Sequence, residues 1–297
     1  MSLERMIRHS LGYETFRWWM RQFQKETHYP APLLERVAYT PANILEKNLY
    51  ASGLRSRDDL VLPNVLGIGA MKCGTTWLGG QLGSHPDIYM APLKELHYFS
   101  WHWHRSLEFY SRQLEAGKGK LICDYSVDYG GIHLYRIRFI RKIMPDVRLL
   151  YMMRNPIDRV WSHAKQELMF RTGRSFEEVR EFEFFRRFKL QNTRYYTRYL
   201  SDIDRWTSIF PKEQMYVGVY DDVKLRPKEL VTEVFNHIGV TTDLDWDTIP
   251  LHHKYMEGPP SPPMPDKYRE FLQNMYRDDI EKIYQRFGDK VAAWRVN

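Results

Sequence analysis

From residue 63 onward, short apolar runs alternate with longer stretches whose apolar positions recur at helical spacing. Continuous apolar runs of this length read as buried strands, and a 3.6-residue period reads as an amphipathic helix. Strands are predicted at 65–69, 88–90, 121–125, 147–152 and 215–219, with helices at 76–82, 107–114, 132–143, 156–170, 193–209 and 227–238. A final amphipathic helix is predicted over 266–287. This alternation predicts an α/β fold, a mostly parallel central sheet with helices on both faces. In such a sheet, ligands bind beyond the carboxyl ends of the strands.

Three segments fall outside the alternation. Residues 1–60 are polar and rich in aromatic side chains and form an N-terminal helical accessory segment; residues 61–297 form the main domain. Within the former, "TFRWWMRQFQKE" has the form of a basic helix with Trp18 and Trp19 as membrane-surface anchors. However, Glu4, Glu14 and Glu26 dilute the basic face that anionic lipid would require, so a helix lying on the main domain is expected. Residues 171–190 read as an inserted helix pair, and 241–265, rich in Pro and Asp, as a long ordered loop.

The stretch "VLGIGAMKCGTTWLGG" is the chain's most informative one. An apolar strand runs into a turn carrying Gly67, Gly69 and Gly74, followed by a helix start. Glycines admit an anion close to the backbone, successive N–H groups form a nest, and the helix N-terminus adds partial positive charge. Lys72 adds a full charge. Gly69 to Thr76 reads G-x-x-x-x-G-T-T, with lysine inside the loop and Thr75 where a nucleotide-triphosphate loop has its lysine. An ordinary kinase or ATPase is therefore poorly matched.

A second anion motif follows the fourth strand. In "RLLYMMRNPIDRVWSHAKQ", Arg154 ends a strand, Asn155 is placed as N-cap, Pro156 suits the first helical position and Asp158 lies in the first turn. Ser162 lies about two turns into the helix.

Together these residues resemble the sulfotransferases that use 3′-phosphoadenosine 5′-phosphosulfate (PAPS). Their 5′-phosphosulfate loop reads K-x-G-T-T-x-L, matched by Lys72, Gly74, Thr75, Thr76 and Leu78, with Cys73 and Trp77 between them. Arg154, Pro156, Arg159 and Ser162 match the family's second motif. The resemblance implies a P-loop-type fold in which Arg154 and Ser162 bind the 3′-phosphate and Arg159 packs or pairs structurally. It also implies that the late basic stretch "HHKYMEG" closes on the nucleotide through Lys254.

Family members acting on carbohydrates carry K-E-x-H-x-F, matched by Lys94, Glu95, His97 and Phe99. There the glutamate takes the acceptor's proton, as the chemistry requires: an alcohol is a weak nucleophile until a base accepts its proton. The expected roles are Glu95 as base, Lys72 as stabiliser of the leaving phosphate oxygen with Thr76 and the loop amides, and Lys94 as a nearby charge. His97 is the reserve base. "CDYSVDYGG" follows the family's E-K-[ST]-x-x-Y through Asp124, Ser126 and Tyr129, but Tyr125 stands in place of lysine. Asp128 is given no role.

The implied reaction moves a sulfuryl group from PAPS to a hydroxyl, with an amine as second choice, on a carbohydrate or other small metabolite. The alternatives are a P-loop phosphotransferase, which would need magnesium, and a non-catalytic nucleotide-binding module. His97, His102, His104, His252 and His253 raise a metal reading, but no thiolate or carboxylate completes a ligand set, and no metal is expected.

The net charge of +7 suits an anionic ligand. No zinc spacing or ribonucleoprotein signature accompanies it, so nucleic acid is not expected as a partner. With two cysteines, Cys73 and Cys123, a disulfide framework is excluded and a reducing compartment is expected. No stretch approaches the about 20 apolar residues of a membrane span, and the start does not resemble a signal peptide. Stable membrane insertion is not expected, and the location read from these features is cytoplasmic.

Overall fold

The computed structural model describes residues 33–91, 95–253, 255 and 261–295. Five strands, β1 (Val65–Gly69), β2 (Ile88–Met90), β3 (Leu121–Tyr125), β4 (Arg148–Met153) and β5 (Met215–Val219), form one sheet in the order β2-β3-β1-β4-β5. Every pairing is parallel. All of β1 is buried, as are five of the six residues of β4, as expected where both faces of a sheet are covered. The chain leaves β1 toward β2 and β3, then crosses back over β1 to reach β4. Right-handed crossovers running in opposite directions put their helices on opposite faces. They also open a crevice beyond the carboxyl ends of β1 and β4, where the strand order switches.

The helices that matter for the site are α1 (Leu33–Ser52), α2 (Thr75–Ser84), α3 (Leu107–Arg112), α4 (Leu134–Ile143) and α5 (Pro156–Lys165). They are followed by α6 (Glu181–Lys189), α7 (Gln191–Tyr195), α8 (Tyr199–Thr207), α9 (Asp222–Leu225), α10 (Pro227–Ile238) and α11 (Asp266–Phe287). The "TFRWWMRQFQKE" stretch lies outside the described residues. Helix α1 is bonded to the segment entering α3: Asn43 Nδ2 donates to His104 O at 2.8 Å, Lys47 Nζ to Arg105 O, and the Leu107 N–H to the Glu46 carboxylate at 3.0 Å.

Two predicted helices are interrupted. The 156–170 stretch is α-helical only to Lys165 and then widens into a π-helical turn, Gln166–Phe170. Around that turn, Glu167 pairs with Arg171 at 2.8 Å and Arg187 at 3.2 Å. The 193–209 stretch is split between α7 and α8 because side chains capture the carbonyls that would continue the ladder. Arg159 Nη2 donates to Thr193 O at 2.5 Å, and Thr197 Oγ1 to Arg194 O at 2.7 Å. The inserted pair expected over 171–190 is a single helix, α6. Its Phe184 and Phe188 pack on Trp161 of α5 and Tyr268 of α11.

Candidate active site

The phosphate loop leaves β1 and turns twice through left-handed backbone, at Lys72 (φ 69°) and Gly74 (φ 85°), before α2 begins at Thr75. Gly74 is required twice over: L side chains rarely adopt that φ, and a Cβ there would stand 2.8 Å from the Tyr220 ring. Lys72 and Thr76 are half-buried and Thr75 is buried. Cys73 is fully buried, its Sγ 3.6 Å from Tyr199 Oη, and burial pushes its thiol up to about 11. Trp77 is buried and donates to Leu251 O at 3.0 Å. Of the residues assigned to the donor, Cys73 and Trp77 therefore have side chains committed to packing, and what they can offer a phosphate is their backbone N–H groups.

Arg154 stands at the end of β4, on the opposite wall of the crevice. Its Nη1 donates to Lys72 O at 3.3 Å, its guanidinium lies 4.3 Å from the centre of the Tyr220 ring, and its buried Nε has no hydrogen-bond partner. Helix α5 starts as predicted: Asn155 Oδ1 accepts from the Ile157 N–H at 3.0 Å, and Pro156 fills the first helical position. Ser162 is half-buried on this helix. Arg159 is fully buried, and apart from Thr193 O its guanidinium has no partner at Nε or Nη1. Loop and strand end thus bring Lys72 and Arg154 together, with Ser162 about two turns further along α5. Lys94 and Lys254 lie outside the described residues.

Glu95 and His97 occupy the carboxyl edge of the sheet on the β3 side, both in the left-handed region, with φ of 73° and 51°. Such backbone is uncommon for these residue types and persists where surrounding contacts impose it. Here the His97 N–H donates to Ser126 Oγ at 3.0 Å, and the Ser126 N–H in turn donates to Gly67 O of β1 at 2.8 Å. The His97 ring is 3% exposed and stacks on Trp101, with centroids 4.0 Å apart.

The His97 imidazole lies between two carboxylates. Nε2 is 3.2 Å from Glu95 Oε2, and Nδ1 is 3.1 Å from Asp128 Oδ2. The second approach lies off the N–H axis, so it is a charge contact rather than an aligned hydrogen bond. Burial by itself would lower the histidine's pKa, but Asp128 and Glu95 outweigh it and hold the ring protonated up to about 9. A histidine already protonated at neutral pH cannot accept the acceptor's proton. Glu95 is the more open of the two carboxylates, its side chain 28% exposed against 10% for Asp128.

Asp128 is the residue that sequence reasoning missed. It lies in the short 3-10 turn Val127–Tyr129 after β3, and its Oδ1 accepts from Tyr196 Oη at 2.6 Å. The available signal was its position two residues beyond Ser126, in a turn following a strand adjacent to β1. Asp124, Ser126 and Tyr129 form a buried hydrogen-bond hub. Asp124 accepts from Tyr110 and Tyr129 at Oδ2 and from Ser126 at Oδ1, at 2.7–2.8 Å. Tyr125 turns into the sheet against Gly67. No group of three metal-binding side chains occurs among the described residues.

A parallel sheet with a phosphate loop after β1, and after β4 an arginine followed by an Asn-capped helix, defines a P-loop-type α/β protein. The family model described as "Sulfotransferase domain" matches residues 62–257, and the chain belongs to this family. A sulfotransferase structure from Alicyclobacillus acidocaldarius is 27% identical, covers 80% of this chain and 100% of its own, and superposes with a TM-score of 0.62. The membrane-associated sulfotransferase kil1 of Dictyostelium discoideum is 20% identical over 76% of the chain. A mouse bifunctional heparan sulfate N-deacetylase/N-sulfotransferase 3 is 22% identical over 78% of it. The chain spans 65% of the length of the first of these two proteins and 31% of the second. The cytoplasmic location expected from the sequence is corrected by this comparison: the Dictyostelium relative is membrane-associated. No helix among the described residues is long and apolar enough to cross a membrane, and no compartment is assigned.

Proposed function

We propose that the protein transfers a sulfuryl group from PAPS to a hydroxyl, with an amine as the second acceptor class, of a carbohydrate or other small metabolite. The observation that carries this reading is the joining of two anion-holding elements across the β1/β4 crevice, where Arg154 donates to the carbonyl of Lys72. A donor with phosphate at both its 5′ and 3′ positions calls for two such elements side by side. The buried, unpartnered Nε of Arg154 supports the fit, because a buried donor without an acceptor is costly and an anion would satisfy it. A carbohydrate acceptor is in keeping with the mouse relative, named for N-sulfotransfer on heparan sulfate.

In this reading the acceptor O–H gives its proton to Glu95 as its oxygen bonds to sulfur. The bond from sulfur to the bridging phosphate oxygen breaks, and its electron pair stays on the 5′-phosphate, faced by Lys72, Thr76 and the loop N–H groups. His97, as imidazolium, orients Glu95, and Asp128 holds His97. Lys94 and Lys254 keep the roles assigned from the family motif: a nearby charge at the reacting end and a contact to the 3′-phosphate.

The test is incubation of the purified protein with PAPS and a panel of saccharide, alcohol and amine acceptors, read by mass spectrometry for the gain of one sulfo group. Transfer that is lost in Lys72→Ala supports the reading. Binding of the product nucleotide with no transfer to any acceptor would support a non-catalytic module instead.

A further inference from the structure

Helix α5 carries a second cation that the sequence motif does not include. Lys165 follows Ser162 by three residues, which places the two on one face of the helix a turn apart. Its Nζ donates to Ser261 Oγ at 3.0 Å, on the segment that leads into α11. Among the described residues, neither Lys165 nor Arg154 is paired with a carboxylate. A neutral hydroxyl is a poor partner for a half-buried ammonium, because it supplies a lone pair but no charge. Burial, and after it the positive charge of Arg154, lowers the lysine's pKa. Each cation faces an aromatic ring, Lys165 that of Trp161 at 5.6 Å and Arg154 that of Tyr220 at 4.3 Å, but neither faces an anion among the described residues, and repulsion between them is relieved by a ligand of opposite charge.

We propose that Lys165 is a second cation of the 3′-phosphate subsite, acting beside Arg154 and Ser162, and that it sets the preference for a 3′-phosphorylated adenosine nucleotide over one with a free 3′-hydroxyl. This rests on the donor reading given above. The lysine chain leans toward the N-terminus of its helix, with Nζ 5.6 Å from the centre of the ring of Trp161, the residue before Ser162. The contact to Ser261 links the subsite to the segment that follows the late basic loop.

Calorimetric titration of the full chain with adenosine 3′,5′-bisphosphate and with adenosine 5′-monophosphate tests the assignment. In Lys165→Met the bisphosphate dissociation constant is expected to rise roughly tenfold or more, the scale of a hydrogen bond between charged groups. The monophosphate constant is expected to stay within about twofold, since a charge that acts on the 3′-phosphate has little to act on in its absence. Lys165→Arg should keep most of the discrimination. If Lys165→Met does not fold, Lys165→Gln retains a polar end and takes the same readout. Equal weakening of both nucleotides, or unchanged discrimination, overturns the role of Lys165 while leaving the donor reading intact. A wild-type protein that binds neither nucleotide, or binds both equally, overturns the donor reading and this assignment with it.

Discussion

Replacing Asp128 by Asn removes one of the two charges that keep His97 protonated while keeping its shape and an acceptor oxygen for Tyr196. In the intact site, burial lowers the His97 pKa from its reference of 6.5, and two carboxylates at 3.1 and 3.2 Å raise it, for a net value of about 9. The two partners are at nearly equal distance, so each supplies about half of the upward pull, whereas the burial penalty stays when one is removed. The variant should therefore lose more than half of the net rise, leaving His97 titrating at about 8 or lower. The linkage has a definite sign. Because the folded-state pKa is raised, the stabilisation is fully present below the unfolded value near 6.5 and is lost as pH rises through about 9. At about 1.4 kcal/mol per pH unit, the intact arrangement contributes on the order of 3 kcal/mol in acid and neutral solution, and Asp128→Asn forfeits more than half of it. The measurements are an NMR titration of the His97 ring in both proteins and urea denaturation at pH 7 and pH 10. An unchanged His97 titration in the variant, or a wild-type ring titrating at the ordinary histidine value, would refute the reasoning.

Two other substitutions test neighbouring parts of the site. Glu95→Gln should lower the transfer rate by roughly 10²–10⁴, the contribution of a positioned base, with bisphosphate nucleotide affinity nearly unchanged; near-normal turnover would remove Glu95 as base. Gly67→Ala would place a Cβ 2.2 Å from Cγ of the buried Tyr125 ring, and should lower stability by about 1–3 kcal/mol on the scale of overpacked cores. An unaltered denaturation midpoint would contradict that packing.

The parts of the molecule legible in the sequence are those written in consecutive residues. The apolar run and glycines of the phosphate loop specify a strand, a left-handed turn and a helix start locally. β4 is displaced by one residue from its expected bounds, 148–153 in place of 147–152. The Asn155 cap and Pro156 were equally local. The break between α7 and α8 was not legible, because the groups that end α7 include the guanidinium of Arg159, 34 residues away. The protonated state of His97 was hidden for the same reason. K-E-x-H places Glu95 beside it in the chain, but Asp128 reaches it from a turn after β3, and that turn comes adjacent only when the parallel sheet forms. A motif can name a histidine as a candidate base; the carboxylate on its far side favours the imidazolium and so favours Glu95 for that role.

The departure at Tyr125 bears on how charge is distributed along the sheet edge. Tyr125, where the resembling motif reads lysine, is 1% exposed, its ring against Gly67 and its hydroxyl 3.4 Å from Gly69 O, so this position gives the β3 side no cation. Around it, Asp124, Asp128 and Glu95 are carboxylates, with His97 between the last two. Across β1 the balance reverses: Lys72, Arg154, Arg159 and Lys165 cluster at the ends of β1 and β4 and along α5. Opposite charges on the two sides of one crevice are what the proposed reaction needs, since the donor arrives as a polyanion and the acceptor must give up a proton. The Tyr125 hydroxyl reaches the start of the phosphate loop, at Gly69 O. With tyrosine there, His97 is the charge in contact with Glu95, and in the proposed reaction that contact orients the base, which is what gives the Asp128 contact on the other side of the ring its weight.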